Sequence, residues 1–165
     1  MPHRFFRFPM DRNRKPLSVL LSSLSALLLL QTASAQSFGP GQALTTAAGS
    51  SSAYATDLDG DGDADVLAAA SYNGVITWYE NLGGGSFGAQ QVITTSARGA
   101  VSVYATDLDG DGDADVLSAH SNDDKIAWYE NLGGGSFGPH MVITTAADFA
   151  RSVYATDLDG DGDAD

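Results

Sequence analysis

Tyr54-Ala-Thr-Asp-Leu-Asp-Gly-Asp-Gly-Asp-Ala-Asp65 is repeated without a change at Tyr104 to Asp115 and again at Tyr154 to Asp165, each copy 50 residues after the last. Self-similarity at a fixed period of this size marks an architecture of stacked units, each too small to bury its own apolar surface. Within the string a carboxylate stands at every second position, and glycines between them let a short loop turn sharply enough to aim several oxygens at one point.

Counting from its first aspartate, each loop carries carboxylates at positions 1, 3, 5, 7 and 9. These are Asp57, Asp59, Asp61, Asp63 and Asp65 in the first loop, and Asp107, Asp109, Asp111, Asp113 and Asp115 in the second. In the third they are Asp157, Asp159, Asp161, Asp163 and Asp165. Two carboxylates about 6 Å apart repel by roughly 3 kcal/mol at an effective dielectric near 20, so five on one loop call for a cation. Calcium accepts six to eight oxygens at flexible geometry, whereas magnesium keeps its waters and demands a stricter octahedron. The reading is therefore a Ca2+ loop, with side-chain oxygens from positions 1, 3, 5 and 9 and the backbone carbonyl from position 7. A solvated acidic turn is the plainer reading of Asp and Gly, but it leaves the repulsion uncompensated three times. An EF-hand is excluded, because its twelfth position requires a bidentate Glu and a following helix. Here the twelfth residues are Ala68 and Ser118, and Val66-Leu67 and Val116-Leu117 lead into apolar strands.

The repeat extends well beyond the loop. Tyr54 to Thr95 and Tyr104 to Thr145 align without a gap, with 32 of 42 positions identical. Val103 to Thr106 leads into the loop, Val116 to Ala119 leaves it, Ile126 to Tyr129 follows the turn at Asn122-Asp123-Asp124, and Met141 to Thr144 follows the glycine-rich turn at Leu132 to Ser136. Four short strands per unit predict an all-β fold of four-stranded antiparallel β-propeller blades, each with a calcium loop, in an incomplete ring. The boundaries read as a partial blade over 36–52, blades over 53–102 and 103–152, and a truncated blade over 153–165. Ser37-Phe38-Gly39-Pro40 and Leu44-Thr45-Thr46 echo the last strand of a unit, and are expected to pair as the outer strand of a closing blade. Ending in mid-motif at Asp165, the sequence reads as the N-terminal fragment of a longer protein. A rod that never closes is the alternative to a ring.

Residues 1–35 differ in kind. Arg4, Arg7, Arg12, Arg14 and Lys15 precede the apolar run Leu17 to Leu30 and the small-residue pattern Ala33-Ser34-Ala35, which is the order of a secretory signal peptide. The run is shorter than the roughly 20 residues needed to span a bilayer, so cleavage is expected between Ala35 and Gln36, with no membrane insertion afterwards. Met10 offers a second possible start. Beyond residue 35, 3 Lys and Arg stand against 20 Asp and Glu, a formal charge of −17. That balance argues against nucleic acid, whose phosphates need clustered cations. With no cysteine in the chain, secretion adds no disulfide, which leaves metal as the brace.

The motif Asp-Leu-Asp-Gly-Asp-Gly-Asp-Ala-Asp-Val-Leu, followed downstream by Asn81-Leu82-Gly83-Gly84-Gly85-Ser86-Phe87-Gly88, resembles the FG-GAP or VCBS-type repeats of integrin-like β-propellers. Phe87-Gly88 and Phe137-Gly138 match half of the family's signature, and no Gly-Ala-Pro follows in place. The resemblance implies blades in a ring, usually seven, with calcium between the first two strands of a blade. It also implies roles in adhesion or ligand binding, often alongside other modules, including enzymes.

The remaining chemistry-bearing residues suggest no catalyst. Trp78, Tyr79, Trp128 and Tyr129 recur at one place per unit and are expected to fill the space between blades. Glu80 and Glu130 are copies of each other, whereas a hydrolytic carboxylate pair is asymmetric. His120 and His140 replace Ala70 and Gln90 and read as surface or filler residues, and Arg98 and Arg151 as solvated. The expectation is a secreted or cell-surface binding module for an extracellular protein or carbohydrate. The alternative is the propeller part of a secreted polysaccharide- or protein-degrading enzyme whose catalytic region lies beyond residue 165. In an antiparallel meander the metal loop and glycine-rich loop share one end. The other end carries the most divergent connections, Tyr72 to Val75 against Asn122 to Lys125 and Ser96 to Ser102 against Ala146 to Ser152. Recognition is expected there.

Overall fold

A computed structural model describes residues 43–44 and 49–165. The signal segment, its cleavage point and most of the partial blade lie outside the described residues. Eight strands follow in order: β1 (Ser50–Thr56), β2 (Asp65–Ala70), β3 (Val75–Tyr79), β4 (Gln91–Thr94), β5 (Ala100–Thr106), β6 (Asp115–His120), β7 (Lys125–Tyr129) and β8 (Met141–Thr144). They form two four-stranded antiparallel sheets, β1-β2-β3-β4 and β5-β6-β7-β8, each a plain meander. Among the described residues there is no helix, and so none long and apolar enough to cross a membrane. The fold is all-β, with two propeller-type blades and no closed ring.

The registers of the two blades are copies. Tyr54 pairs with Leu67 and Leu67 with Trp78, just as Tyr104 pairs with Leu117 and Leu117 with Trp128. Each meander has the same irregularity early in its first strand, Ser50/Ser52 and Ala100/Ser102. The four strands expected per unit are present in both blades, with β5, β6 and β7 extended by one to three residues at their ends.

Period-2 alternation decides which side chains meet. Leu67, Ala69, Ile76 and Trp78 share the face of the first blade that is turned to the second, and pack against Val103, Ala105, Val116, Ala127 and Tyr129. The opposite face of the first blade, with Val66, Ala68 and Tyr79, borders an open cavity of about 450 Å3. Covered on both sides, β6 is buried at every position, whereas the near-identical β2 alternates between buried and half-buried. One sequence pattern thus takes two burial patterns according to its neighbours.

The blade interface has polar ties at repeating positions. The Ser52 hydroxyl accepts the Val103 N–H at 3.2 Å, and the Ser102 hydroxyl accepts the Val153 N–H at 3.3 Å. Tyr54, Tyr104 and Tyr154 form a ladder along the first strands, with ring centroids 4.9 and 4.6 Å apart. Burial, with hydrogen bonds to Tyr154 and Tyr54, pushes the Tyr104 phenol up to about 12.

Candidate metal loops

The first two acidic loops connect β1 to β2 and β5 to β6, and the shape of all three loops is set by their own aspartates. Asp57 accepts the Gly60 N–H on Oδ1 at 2.7 Å and the Gly62 N–H on Oδ2 at 2.9 Å. Asp59 accepts from the Asp61 N–H, and Asp61 from the Asp63 N–H. The same four bonds recur in the second loop and again in the third. Gly62, Gly112 and Gly162 take φ of 94°, 97° and 104° at position 6, where a side chain would be strained.

This winding brings carboxylates together. Ligand oxygens of Asp57, Asp59 and Asp61 lie within 4.8 Å of one another, as do those of Asp107, Asp109 and Asp115, and of Asp157, Asp159 and Asp165. Positions 1 and 3 thus converge in all three loops, joined by position 5 in the first and by position 9 in the others. Burial, opposed by the Asp61 N–H and reinforced by the charges of Asp65, Asp61 and Asp57, raises the Asp59 carboxyl above the usual range. Asp111 and Asp161 lie outside the tight clusters of their own loops.

Position 9 also has a structural duty. Asp65 is fully buried, accepting the Leu58 N–H on Oδ2 at 2.9 Å and the Asn81 N–H on Oδ1 at 2.8 Å. Asp115 does the same with Leu108 and Asn131. Its carboxyl is raised by burial, which outweighs those two amide bonds. Asp165 holds the Leu158 N–H. Position 7 points elsewhere: a side chain at Gly83 would fall 3.9 Å from Asp63 Oδ2, and one at Gly133 3.4 Å from Asp113 Oδ2. Asp163 Oδ1 would similarly lie 3.5 Å from a side chain at Gly110 of the preceding loop.

The donor set is all oxygen and carboxylate-rich, which suits a hard divalent cation. A carboxylate has about four lone-pair directions, so the oxygens that accept loop amides keep capacity for an ion. At separations up to 4.8 Å the bare carboxylates repel by about 3 kcal/mol or more per pair at an effective dielectric near 20. A cation would remove that repulsion.

Asn81, which opens the glycine-rich motif, and its copy Asn131 have a role that the sequence alone does not assign. The Asn131 amide donates to Ala114 O of its own loop at 3.1 Å and to Leu58 O of the preceding blade's loop at 2.8 Å, while its Oδ1 accepts the Gly133 N–H. Asn131 is fully buried and ties the glycine-rich loop to two acidic loops. Asn81 makes the matching bonds to Ala64 O and the Gly83 N–H. The metal loop and glycine-rich loop therefore share one end of the blade. At the other end the Ala97 N–H binds Gly74 O and the Gly99 N–H binds Ser71 O, joining the β2–β3 turn to the link between blades.

Of the four aromatics expected between the blades, Trp78 and Tyr129 lie in the shared core, whereas Tyr79 is buried on the opposite face of the first blade and Trp128 is half-buried. Of the two readings of His120, surface or filler, the structure shows filler. The residue is fully buried between the blades, its Nε2 2.7 Å from Ser118 Oγ and its Nδ1 without a partner. The reason is that Ser118 and His120 alternate on the strand face that the first blade covers, where the first unit has Ala68 and Ala70. Burial, then the Lys125 charge, with His140 adding and Asp123 opposing, holds the imidazole down at about 4. Although serine and histidine are in contact, both are sealed from solvent, so the pair is a packing feature. His140, Arg98 and Arg151 are exposed, and Glu80 and Glu130 half-buried.

No curated protein and no solved structure shows a significant match to the chain. The FG-GAP-like repeat profile matches residues 57–118 and 107–165, each match opening on the first aspartate of an acidic loop. The profile thus covers the three loops and the strands from β2 onward, and the chain belongs to the FG-GAP-like repeat family.

Proposed function

We propose that the protein is a secreted, calcium-braced β-propeller repeat protein that serves as a binding or adhesion module, with no catalytic site in this sequence. The observation that carries the reading is the convergence of three carboxylates within 4.8 Å in every loop: Asp57, Asp59 and Asp61 in the first, Asp107, Asp109 and Asp115 in the second, and Asp157, Asp159 and Asp165 in the third. Side chains at positions 1, 3, 5 and 9 and the carbonyl at position 7 would hold the ion. Bound calcium supplies positive charge that cancels the carboxylate repulsion. The first two loops join β1 to β2 and β5 to β6 and, through Asn131, tie the neighbouring blades together. Loss of the charge balance therefore loosens the stacking as well as the loop. The signal-peptide pattern of residues 1–35 supports an extracellular setting, where millimolar calcium fills sites of modest affinity.

The test is a thermal melt of the full chain in chelator and in millimolar calcium. Free calcium at 100 times the dissociation constant adds about 2.7 kcal/mol per site, so the melting temperature should rise by many degrees in calcium. Asp59→Asn should lower the calorimetric calcium stoichiometry by one. Identical melts in chelator and in calcium would refute the bracing role.

A further inference from the structure

The end of the blades opposite the acidic loops carries a cleft of about 480 Å3, where the β2–β3 turn, the link to the second blade and the β6–β7 turn meet. Its size falls within the roughly 300 to 1,000 Å3 of small-ligand sites. Five side chains matter: Tyr72 and Ser71 from the first turn, Arg98 from the link, and Ser121 and Asn122 from the second turn. Tyr72 and Arg98 break the repeat, as does the neighbouring Gly99, since their counterparts are Asn122, Asp148 and Phe149. The cleft is therefore asymmetric and occurs once in the described residues, unlike the acidic loops.

Its aromatic and its cation are both displayed. Tyr72 is 89% exposed, yet it is held in place: a side chain at Gly49 would fall 2.5 Å from Tyr72 Cδ2, so the ring rests directly on that glycine. Asn122 sits on Gly99 in the same way, where an added carbon would lie 2.7 Å from its Cβ. Arg98 makes no ion pair among the described residues, in a chain with a large excess of acid. The acids of the neighbouring turn are engaged. Asp123 pairs with Lys125 at 3.6 Å, and Asp124 Oδ1 accepts the Phe149 N–H at 2.9 Å. Ser71 and Ser121 donate their hydroxyls to Gly49 O and Gly99 O, which leaves their oxygens free to accept.

We infer that this cleft binds an acidic carbohydrate, a uronate-bearing oligosaccharide, with its carboxylate on Arg98 and a sugar ring on Tyr72. The inference rests on the binding-module reading and names its ligand class. A guanidinium presents a planar fork that matches a carboxylate in two hydrogen bonds. A phenol offers an apolar face to the C–H side of a pyranose and a polar tip to its hydroxyls. Hydroxyl-rich ligands also need acceptors and a mixed donor, which the two serine oxygens and the Asn122 amide supply. The acidic loops lie at the far end of the blade, a strand length of roughly 20 Å away. That is beyond the Debye length of about 8 Å at physiological salt, so they do not repel the anion.

The experiment is calorimetric titration of the full chain, in millimolar calcium, with a galacturonic acid trisaccharide and with the neutral galactose trisaccharide of the same linkage. The acidic sugar should bind at least tenfold more tightly. Arg98→Gln and Tyr72→Ala should each weaken it tenfold or more with melting temperatures unchanged, Tyr72→Phe should retain most of the affinity, and Arg151→Gln should have no effect. Equal binding of the two sugars, or equal loss from Arg98→Gln and Arg151→Gln, would overturn the inference. So would a peptide with a free terminal carboxylate that binds at Arg98 where the uronate does not. Calcium-dependent melting reports separately on the underlying reading, so a braced chain that ignores uronate refutes the ligand class alone.

Discussion

Alanine at Gly135 and, separately, at Gly85 isolates the contribution of inter-blade packing, because the two glycines are the same position in successive units. Both have positive φ, 68° and 81°, so both substitutions carry the left-handed penalty of an L-residue, about 1 to 2 kcal/mol. Only one of them collides. A side chain at Gly135 would lie 2.2 Å from Trp78 Cζ2 and 2.7 Å from Cη2, whereas one at Gly85 meets nothing within 4 Å. Trp78 is 2% exposed within the core shared by the blades and cannot swing into solvent without uncovering Leu67 and Ile76. Forcing a methyl into such packing costs about 1 to 3 kcal/mol. Gly85→Ala is thus expected to cost about 1 to 2 kcal/mol and Gly135→Ala about 2 to 5. At roughly 4 °C per kcal/mol for a domain of this size, tryptophan-fluorescence melts in saturating calcium should separate the variants by several degrees. Adding Trp78→Phe should recover part of the gap in the Gly135 background and none in the Gly85 background. Equal destabilisation by the two alanines would refute the inter-blade contact.

Stability should depend on pH through His120. Its folded value of about 4 lies below the ordinary 6.5, so the neutral ring's contribution is complete above pH 6.5 and is lost as pH falls toward 4, up to about 3 kcal/mol. The double variant Ser118→Ala/His120→Ala, which restores the first blade's residues, should flatten the stability profile across that window in denaturant titrations; an unchanged slope would contradict the buried neutral ring. Asn131→Ala should cost about 2 to 3 kcal/mol by orphaning buried carbonyls on two loops, clearly more than Asn81→Ala, whose amide has one loop partner. Equal shifts in chemical denaturation would show that the reach to Leu58 contributes nothing.

What the sequence disclosed follows the range of the forces involved. The strands and acidic loops were legible because alternation, turn glycines and alternate carboxylates act over a few residues, and the 50-residue period supplied the stacking. Side-chain direction was not legible in the same way. The loop arithmetic treats position 9 as a ligand, and the fold also makes Asp65 and Asp115 buried acceptors for two amides each. The bonds from Asn81 and Asn131 depend on where β3 and β7 end, which spacing within the loop does not encode. Asn131 was hidden for a similar reason, since its partner Leu58 lies 73 residues away. His120 is a matter of strand parity: it differs from Ala70 by one substitution, and only the knowledge of which sheet face meets the neighbouring blade decides between the surface and filler readings. The tyrosine ladder was implicit in the period, because equal positions on adjacent first strands must be neighbours.

The Ser52 and Ser102 contacts to the following strand, repeated with the same donor and acceptor, make the blade interface heterologous: the front of one unit fits the back of the next, never its own front. Such an interface has polarity, and its geometry does not register whether the next unit is tethered or arrives on a separate molecule. A duplicated unit therefore meets a ready-made partner surface with no compensating substitution. Lengthening the array by whole units is consequently a change that folding tolerates, whereas an insertion of any other length shifts the serine and tyrosine contacts out of phase together.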